Sequence, residues 1–292
     1  MYDKPHGLQA LEQPLSALPD TLRQLILERI QNLTHYEPVI GIMGKSGAGK
    51  SSLCNELFRG EVSPISDVNA CTRDVLRFRL RSGRHSLMIV DLPGVGENGL
   101  RDQEYRALYR RMLPELDLVL WVIKADDRAL SVDEQFWHGV MQPYQQQVLF
   151  VLNQADKIEP CHEWDIRTST PSPQQQTNLK AKQAAITTIF TPRHPVCMVS
   201  ALTGWGVEAM VATMMRCLPD HATSPVATQL HGRLCTGPVR SQARDSFGEA
   251  VGRVFDTAES SSFLPAPLKT VIRTVRDAVV SVARAVWDWI FF

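Results

Sequence analysis

Between residues 37 and 219, short apolar runs alternate with stretches in which apolar residues recur every three or four positions. Runs of this kind predict strands, and the helical spacing between them predicts an α/β fold with a mostly parallel sheet. The six predicted strands are Val39–Met43, Val75–Leu80, Leu87–Val90, Asp117–Ile123, Val148–Leu152 and Val196–Val199. We therefore expect a three-layer sandwich around a six-stranded sheet, with helical segments on either side of it in sequence.

One of these runs carries charge at every second position. Arg77, Arg79 and Arg81 alternate with apolar residues in and just beyond Val75–Leu80. A strand that is polar on one side is typical of an edge or of a half-exposed antiparallel sheet, so we expect this strand at an edge. With Arg73 and Arg84, the same arginines also suggest a docking face for RNA, a ribosome or an acidic protein. Both interpretations stay open.

The segments outside this domain have their own patterns. Residues 1–36 contain a predicted helix from Asp20 to about Leu33, with leucine and isoleucine on one face. Residues 220–245 are rich in Ser, Thr, Pro, Gly and His, a composition that predicts a linker. Residues 246–292 predict two amphipathic helices, about Ser246–Glu259 and Ala266–Ile290.

The last helix has a continuous apolar seam. Its members are Leu268, Ile272, Val275, Val279, Val282, Val286 and Trp289. Three interpretations stay open: packing within this chain, contact of residues 266–292 with a membrane surface, and pairing in a homodimer. We expect the seam to pack against the N-terminal helix and to form a small helical lobe, because burial of each aliphatic side chain contributes about 1.5–3 kcal/mol.

The chemistry begins directly after the first predicted strand. Two glycines five positions apart, Gly44 and Gly49, are followed by Lys50 and Ser51 and then by a helical pattern. Such a loop directs backbone N–H groups at phosphate oxygens, and the helix N-terminus adds partial positive charge. The predicted phosphate contacts are Gly44, Lys45, Ser46, Gly47, Ala48, Gly49, Lys50, Ser51 and Ser52. We call Gly44–Ser51 the phosphate loop.

Further polar residues suggest a magnesium site. Asp91 ends an apolar strand, and Gly94 follows three residues later. The carboxylate is placed to reach Mg²⁺, and the glycine N–H is placed to reach a γ-phosphate. Thr72 is the only threonine between Ser51 and Asp91, and its hydroxyl is a third candidate Mg²⁺ ligand. Loss of the γ-phosphate would release both loops, as in an order–disorder switch.

Two more motifs follow the last two predicted strands. Asn153 and Asp156 come after the fifth strand, and Ser200 and Ala201 come after the sixth. A carboxylate accepts two hydrogen bonds from the N1–H and N2–H₂ edge of guanine, and adenine offers no such pair. A backbone N–H at residues 200–202 is placed to bind the guanine O6. The predicted ligand is therefore GTP or GDP rather than ATP.

The totals exclude some alternatives. There are 31 basic and 31 acidic residues, so no overall charge favours nucleic acid or membrane. The six cysteines show no paired spacing, which argues against a zinc site or a disulfide framework. We find no signal peptide and no apolar run near 20 residues, so we expect a soluble cytoplasmic protein.

Taken together, residues 37–219 resemble the small GTPase fold of P-loop nucleoside triphosphatases. Within it they are most similar to the TrmE–Era–EngA–Septin class and its bacterial YeeP, YfjP and YkfA group, which carries a 50S ribosome-binding-GTPase-like domain. The matching residues are Gly44–Ser51, Thr72, Asp91–Gly94, Asn153–Asp156 and Ser200–Leu202. The resemblance implies GTP binding with Mg²⁺, slow hydrolysis and switching of an effector.

Three positions depart from the pattern of the class. Gln154 replaces the lysine of the usual Asn-Lys-x-Asp guanine motif, which suggests lower affinity. Val95 stands where many GTPases carry a catalytic glutamine, and an apolar residue cannot orient water. Gly47 stands where potassium-activated relatives carry Asn, which argues against potassium-stimulated hydrolysis.

Three functions remain in competition. The first is a slow GTP-hydrolysing switch, with Lys50 neutralising phosphate charge and Thr72 sensing the γ-phosphate as catalytic residues. The second is a non-cycling guanine-nucleotide scaffold that docks to protein or membrane through its C-terminal helices. The third is an ATPase or kinase, against which Asp156 argues.

Overall fold

A computed structural model of the protein describes residues 6–65, 75–94, 102–259 and 266–292. The strands are β1 (Val39–Met43), β2 (Glu61–Ile65), β3 (Leu76–Ser82), β4 (His85–Asp91), β5 (Leu118–Lys124), β6 (Val148–Asn153) and β7 (Cys197–Met198). Within the described residues they form one sheet in the order β2-β3-β4-β1-β5-β6-β7. The mostly parallel α/β architecture is therefore confirmed, with β1 at its centre.

The sheet has one strand more than the sequence pattern indicated. β3 pairs antiparallel with β4 on one side and with β2 on the other. The prediction that Val75–Leu80 lies at the edge is therefore wrong. The sequence pattern does not predict β2 because Pro64 interrupts this short segment. Proline within a sheet is found mainly in edge strands, where its missing N–H is tolerated.

In the part of the chain that the structure describes, three α-helices precede β1, single helices follow β1 and each strand from β4 to β7, and four more helices end the chain. They are α1 (His6–Gln9), α2 (Glu12–Leu15), α3 (Asp20–Thr34), α4 (Lys50–Leu57), α5 (Asp102–Met112), α6 (Ser131–Phe136), α7 (Pro173–Phe190), α8 (Val207–Cys217), α9 (Asp220–Gln229), α10 (Gly237–Glu259), α11 (Ala266–Ala285) and α12 (Trp287–Phe291). Short 3₁₀ segments lie at Leu113–Glu115, Gln142–Gln147, Ala155–Lys157 and Cys161–Glu163, and a π turn spans Trp137–Met141.

Each face of the sheet has its own core because successive side chains of a strand point to opposite sides. On the face covered by α5, α6 and α7, Trp121 stacks on Phe150 with ring centroids 5.1 Å apart, and Phe190 lies 4.9 Å from Phe150. On the other face, the aliphatic residues of β1, β5 and β6 pack against α4, α8 and the terminal helices. β5 is buried on both faces, which explains its uninterrupted apolar sequence.

The predicted linker at 220–245 is wrong, since this segment contains α9 and the start of α10. Every residue of α9 from Ala222 to Gln229 is buried, and the helix lies against β3 and β4. Its hydroxyl groups are satisfied by carbonyl oxygens: Thr228 donates to Pro225 O at 2.6 Å, and Ser224 donates to Ala243 O at 3.0 Å. Small polar side chains that usually mark a linker are here satisfied inside a packed helix.

The predicted helical lobe is present, but its helices pair differently from our expectation. α3 packs on α10, and α10 packs on α11, so α10 separates the two helices that we expected to touch. The short helices α1 and α2 instead contact α12 and α11. We call the group formed by α1–α3 and α9–α12 the helical lobe; its core is continuous with one face of the sheet.

The apolar seam of the last helix lies mostly inside this lobe. Ile272, Val275, Val279 and Val286 are buried, Leu268 and Val282 are partly buried, and Trp289 is 68% exposed. A membrane or homodimer contact through the seam would require the lobe to open. No helix in the described ranges is both long enough and apolar enough to cross a lipid bilayer.

Two neighbouring tryptophans test this packing. Trp287 is 1% exposed, and its indole N–H donates to Ser224 Oγ at 2.8 Å. We expect Trp287→Ala to lower the free energy of unfolding by about 3–5 kcal/mol, because it leaves a cavity and removes the indole N–H that Ser224 Oγ accepts. Trp289→Ala, the matched control, should change it by less than about 0.5 kcal/mol. Chemical denaturation of both variants measures the difference, and equal losses would contradict the packing described.

Candidate nucleotide-binding site

The phosphate loop joins the end of β1 to the start of α4. Gly44, Gly47 and Gly49 all have positive φ angles, which L-residues rarely adopt. A Cβ placed on Gly49 would also lie 2.5 Å from Asn153 Nδ2. The glycines are therefore required both by backbone conformation and by the close approach of the neighbouring loop.

The first turn of α4 faces the concave side of this loop. Lys50 Nζ donates to Gly44 O at 2.9 Å, so the ammonium lies across the loop. Ser51 and Ser52 are exposed on the same turn. Gly49 at the helix N-terminus provides no side-chain cap. The arrangement brings an ammonium and a helix N-terminus together, which is the chemistry that binds phosphate.

A carboxylate faces this turn from the end of β4. Asp91 Oδ1 is buried without a hydrogen-bond partner among the described residues. Burial raises the pKa of Asp91, and the ammonium of Lys50 opposes that shift. Lys50, Ser51 and Asp91 line one cavity of about 500 Å³ whose remaining wall is mainly apolar.

This donor set fits a magnesium ion. Mg²⁺ binds one or two protein oxygens together with phosphate oxygens and water, and an unpartnered carboxylate oxygen beside a serine hydroxyl provides such oxygens. Ser51 and Asp91 are therefore placed to hold the ion. Thr72, the third predicted ligand and a predicted catalytic residue, lies outside the described residues, as does Val95.

The segment after Asp91 crosses the phosphate loop. Leu92 N donates to Ile42 O at 2.8 Å, and a Cβ placed on Gly94 would lie 2.9 Å from Gly44 O. The buried Tyr109 donates its hydroxyl to Pro93 O at 2.8 Å. Sequence reasoning missed Tyr109, because its partner is a backbone atom on a distant loop.

The side chain of Asn153, at the end of β6, connects the motif after β6 with the motif after β7. This amide is 1% exposed; its Nδ2 donates to Ala48 O at 2.9 Å, and its Oδ1 accepts from Ala201 N at 3.1 Å. The Nδ2 amide carries a second N–H that has no partner among the described residues, so the contact of Asn153 with guanine stays a prediction. Its role in the geometry is to join the phosphate loop to the loop after β7.

Asp156 lies three residues after Asn153 and contacts the same loop after β7. Ser200 Oγ donates to Asp156 Oδ1 at 2.6 Å, which holds the carboxylate in one orientation. The backbone N–H of Ser200 donates to Trp205 O, and that of Ala201 donates to Asn153, so neither is available to a base oxygen. Ser200 and Ala201 therefore shape the site, and the prediction of a backbone donor to guanine O6 stays with Leu202.

The structure changes the interpretation of Gln154. This residue has a left-handed backbone, with φ of 61°. Its Nε2 donates to Gly47 O at 2.7 Å. The amide thus reaches across and holds the phosphate loop, although it carries no charge.

Lys45 turns away from the concave face. Its Nζ lies 2.9 Å from Asp127 Oδ2 and 2.9 Å from Asp133 Oδ2, and it also donates to Ala129 O. Burial raises the pKa of Asp133 even though Lys45 opposes the shift. Within the phosphate loop, Lys45 therefore offers a ligand its backbone, while its ammonium anchors the loop to the segment after β5.

Comparison with known proteins agrees with this geometry. A family model described as a 50S ribosome-binding GTPase matches residues 39–154. The chain is 55% identical to YfjP of Escherichia coli K12 over 285 residues, which span 97% of this chain and 98% of YfjP. It is 53% identical to YkfA of the same strain over 286 residues, which span 98% of each chain.

A more distant relative shares only part of the chain. GTPase Era of Aquifex aeolicus strain VF5 is 27% identical over 185 residues, which span 62% of this chain and 56% of Era. YfjP and YkfA match the helical lobe as well as the α/β domain, because they align with nearly the whole length. The chain belongs to the P-loop GTPase family that includes YfjP and YkfA.

Proposed function

We propose that this protein binds GTP and GDP with Mg²⁺, hydrolyses GTP slowly and acts as a molecular switch. The observation that carries the proposal is the buried, unpartnered oxygen of Asp91 beside Lys50 and Ser51. Such an oxygen is costly to bury unless a ligand satisfies it. Membership of the GTPase family supports the same reaction.

The base is selected by Asp156 in this proposal. Ser200 uses one carboxylate oxygen, and the second can accept from guanine while the first keeps a further lone pair. ATP is rejected because adenine presents the N1 acceptor and a C2–H where guanine presents the N1–H and N2–H₂ donors, so the carboxylate would lose both partners. The short bond from Ser200 supports this role by fixing the carboxylate before the base arrives.

The phosphates are bound by the backbone of the phosphate loop, Lys50 and Ser51. When bound, Mg²⁺ supplies charge neutralisation for the phosphates, and Ser51 and Asp91 would hold it. Gly94 lies against the phosphate loop, which supports its proposed N–H contact with the γ-phosphate. Thr72 completes the proposed sensing of the γ-phosphate. Hydrolysis is slow in this proposal because Val95 cannot orient water.

We infer the kind of macromolecule that this protein binds from its family and not from the apolar seam of the last helix. The matching family model is described as ribosome-binding, which makes the large ribosomal subunit the first partner to test. Arg79 is paired with Glu37 and Arg77 with Glu115, whereas Arg81 and Arg84 are exposed. Exposed arginines on this face suit RNA or an acidic protein. The alternative, a scaffold that binds nucleotide without cycling, rests on Val95.

The base preference can be measured by competition against labelled GDP. We expect unlabelled GTP to displace it and ATP to be at least about 100-fold weaker, since two hydrogen bonds to a charged acceptor are lost. Asp156→Asn should weaken GTP by a similar factor and favour xanthine nucleotides, because the polarity of the hydrogen bonds is changed. Glu208→Gln, an exposed carboxylate on α8, is the control. An unchanged preference in Asp156→Asn would remove Asp156 from the site.

The phosphate contacts are tested by Lys50→Ala and Ser51→Ala. We expect Lys50→Ala to weaken GDP binding by at least about 100-fold. Ser51→Ala should abolish the gain in affinity that Mg²⁺ provides. Lys50 is only partly buried and Ser51 is exposed, so melting temperatures without nucleotide should stay within a few degrees of the wild type. A large drop in melting temperature would point to a structural role instead.

Turnover distinguishes the switch from the scaffold. We expect the purified protein to release phosphate from GTP at less than about one turnover per second. The rate should be the same in KCl and NaCl, because Gly47 offers no side-chain ligand for potassium. Phosphate release measured with excess GTP decides the matter: several turnovers per second contradict slow hydrolysis, and no release above the blank favours the scaffold.

A further inference from the structure

Lys124 is the last residue of β5, and its ammonium lies beside the phosphate loop. A Cβ placed on Gly47 would lie 3.5 Å from Lys124 Nζ and 3.6 Å from Lys124 Cε. The side chain is half-buried, and within the described ranges its ammonium has neither a hydrogen bond nor an ion pair. The contacts described so far do not explain why the ammonium of Lys124 lies at this loop.

The other two lysines at the loop are already engaged. Lys45 is neutralised by two carboxylates, and Lys50 donates to the carbonyl of Gly44. Lys124 is therefore the lysine at this rim whose ammonium has neither an ion pair nor a hydrogen bond with the described residues. Without a bound anion, the ammonium of Lys124 is repelled by the partial positive charge at the N-terminus of α4 and by the ammonium of Lys50. A bound anion would make the same position favourable.

Gln154 contacts Gly47 as well. Its amide donates to Gly47 O, while Lys124 approaches the position of the missing Cβ of Gly47. The two residues come from neighbouring parallel strands, because Lys124 is in register with Asn153, the residue before Gln154. Gln154 thus supplies the hydrogen bond to the loop, and Lys124 supplies a positive charge at nearly the same place.

We propose that Lys124 is a nucleotide-binding residue whose ammonium contacts the phosphates at Gly47, and that it supplies the charge that Gln154 lacks. This inference rests on the proposed binding of guanine nucleotides. The strand end holds the ammonium in place with the stem half-buried, so little side-chain entropy is lost when the phosphate arrives. In this proposal, Lys124 at the end of β5 provides the positive charge that Gln154 does not provide in the guanine motif.

The test compares GDP affinity in wild type and in Lys124→Met, which keeps the length of the side chain and removes its charge. We expect affinity to fall about 10- to 100-fold, the value of one hydrogen bond between charged groups. The dependence of affinity on salt should also become shallower. Lys180→Met, an exposed lysine on α7, is the matched control and should bind like wild type. Lys124→Arg should retain most of the affinity.

A second variant separates binding from structure. If Lys124 supplies a missing charge, Gln154→Lys should restore GDP affinity in the Lys124→Met background and add little in the wild type. Melting temperatures without nucleotide should be equal for wild type and Lys124→Met, since the ammonium has no protein partner to lose. Wild-type affinity in Lys124→Met overturns the inference.

Other outcomes also decide against it. A loss of affinity that is accompanied by a lower melting temperature, and that Gln154→Lys does not restore, assigns Lys124 a structural role. If the wild-type protein binds no guanine nucleotide at all, the proposed function itself fails, and the inference fails with it. The two failures are distinguishable, because only the second appears in the wild type.

Discussion

The side-chain amide of Asn153 is the contact on which the site depends. It donates to the carbonyl of Ala48 in the phosphate loop and accepts from the N–H of Ala201 after β7, and it is almost entirely buried. Loss of either bond would leave a buried polar group without a partner, which costs about 1–3 kcal/mol. One amide therefore fixes the distance between the part of the site that suits phosphate and the part that suits the base.

The sheet explains why these loops meet. β1, β5, β6 and β7 are parallel, so their carboxyl ends lie along one edge, and β4 runs parallel to β1 and ends there with Asp91. Ligands in open α/β sheets bind outside the carboxyl ends of the strands for this reason. The residues on which the chemistry depends are thus the last residues of strands or the first residues after them, and each is held by a rigid element.

The helical lobe is joined closely to the same sheet. His221 of α9 lies 3.3 Å from Asp117, which also accepts hydrogen bonds from the Tyr36 hydroxyl and the Val39 N–H. Farther along, Gln229 donates to His85 O at the start of β4. The lobe therefore contacts the beginnings of β1 and β4, two strands whose opposite ends carry the phosphate loop and Asp91. The apolar seam of the last helix does not make this contact and lies mostly buried among the helices of the lobe itself.

The sequence by itself determined the α/β class, the strands β1 and β4–β6 to within about two residues, and the positions of the candidate motifs at the strand ends. It did so because these features depend on local periodicity and on glycines whose backbone requirement is local. It did not reveal β2, whose proline hides the strand pattern, or the burial of α9, whose small polar residues are satisfied only by distant carbonyl groups.

Only the tertiary structure showed that Asn153 joins two loops, that Lys45 is bound by Asp127 and Asp133, and that Lys124 lies beside Gly47. Each of these contacts connects residues separated by about 50 to 100 positions along the chain. Sequence spacing specifies which residues share a helix face or a strand, but the order of strands in the sheet decides which residues meet across it.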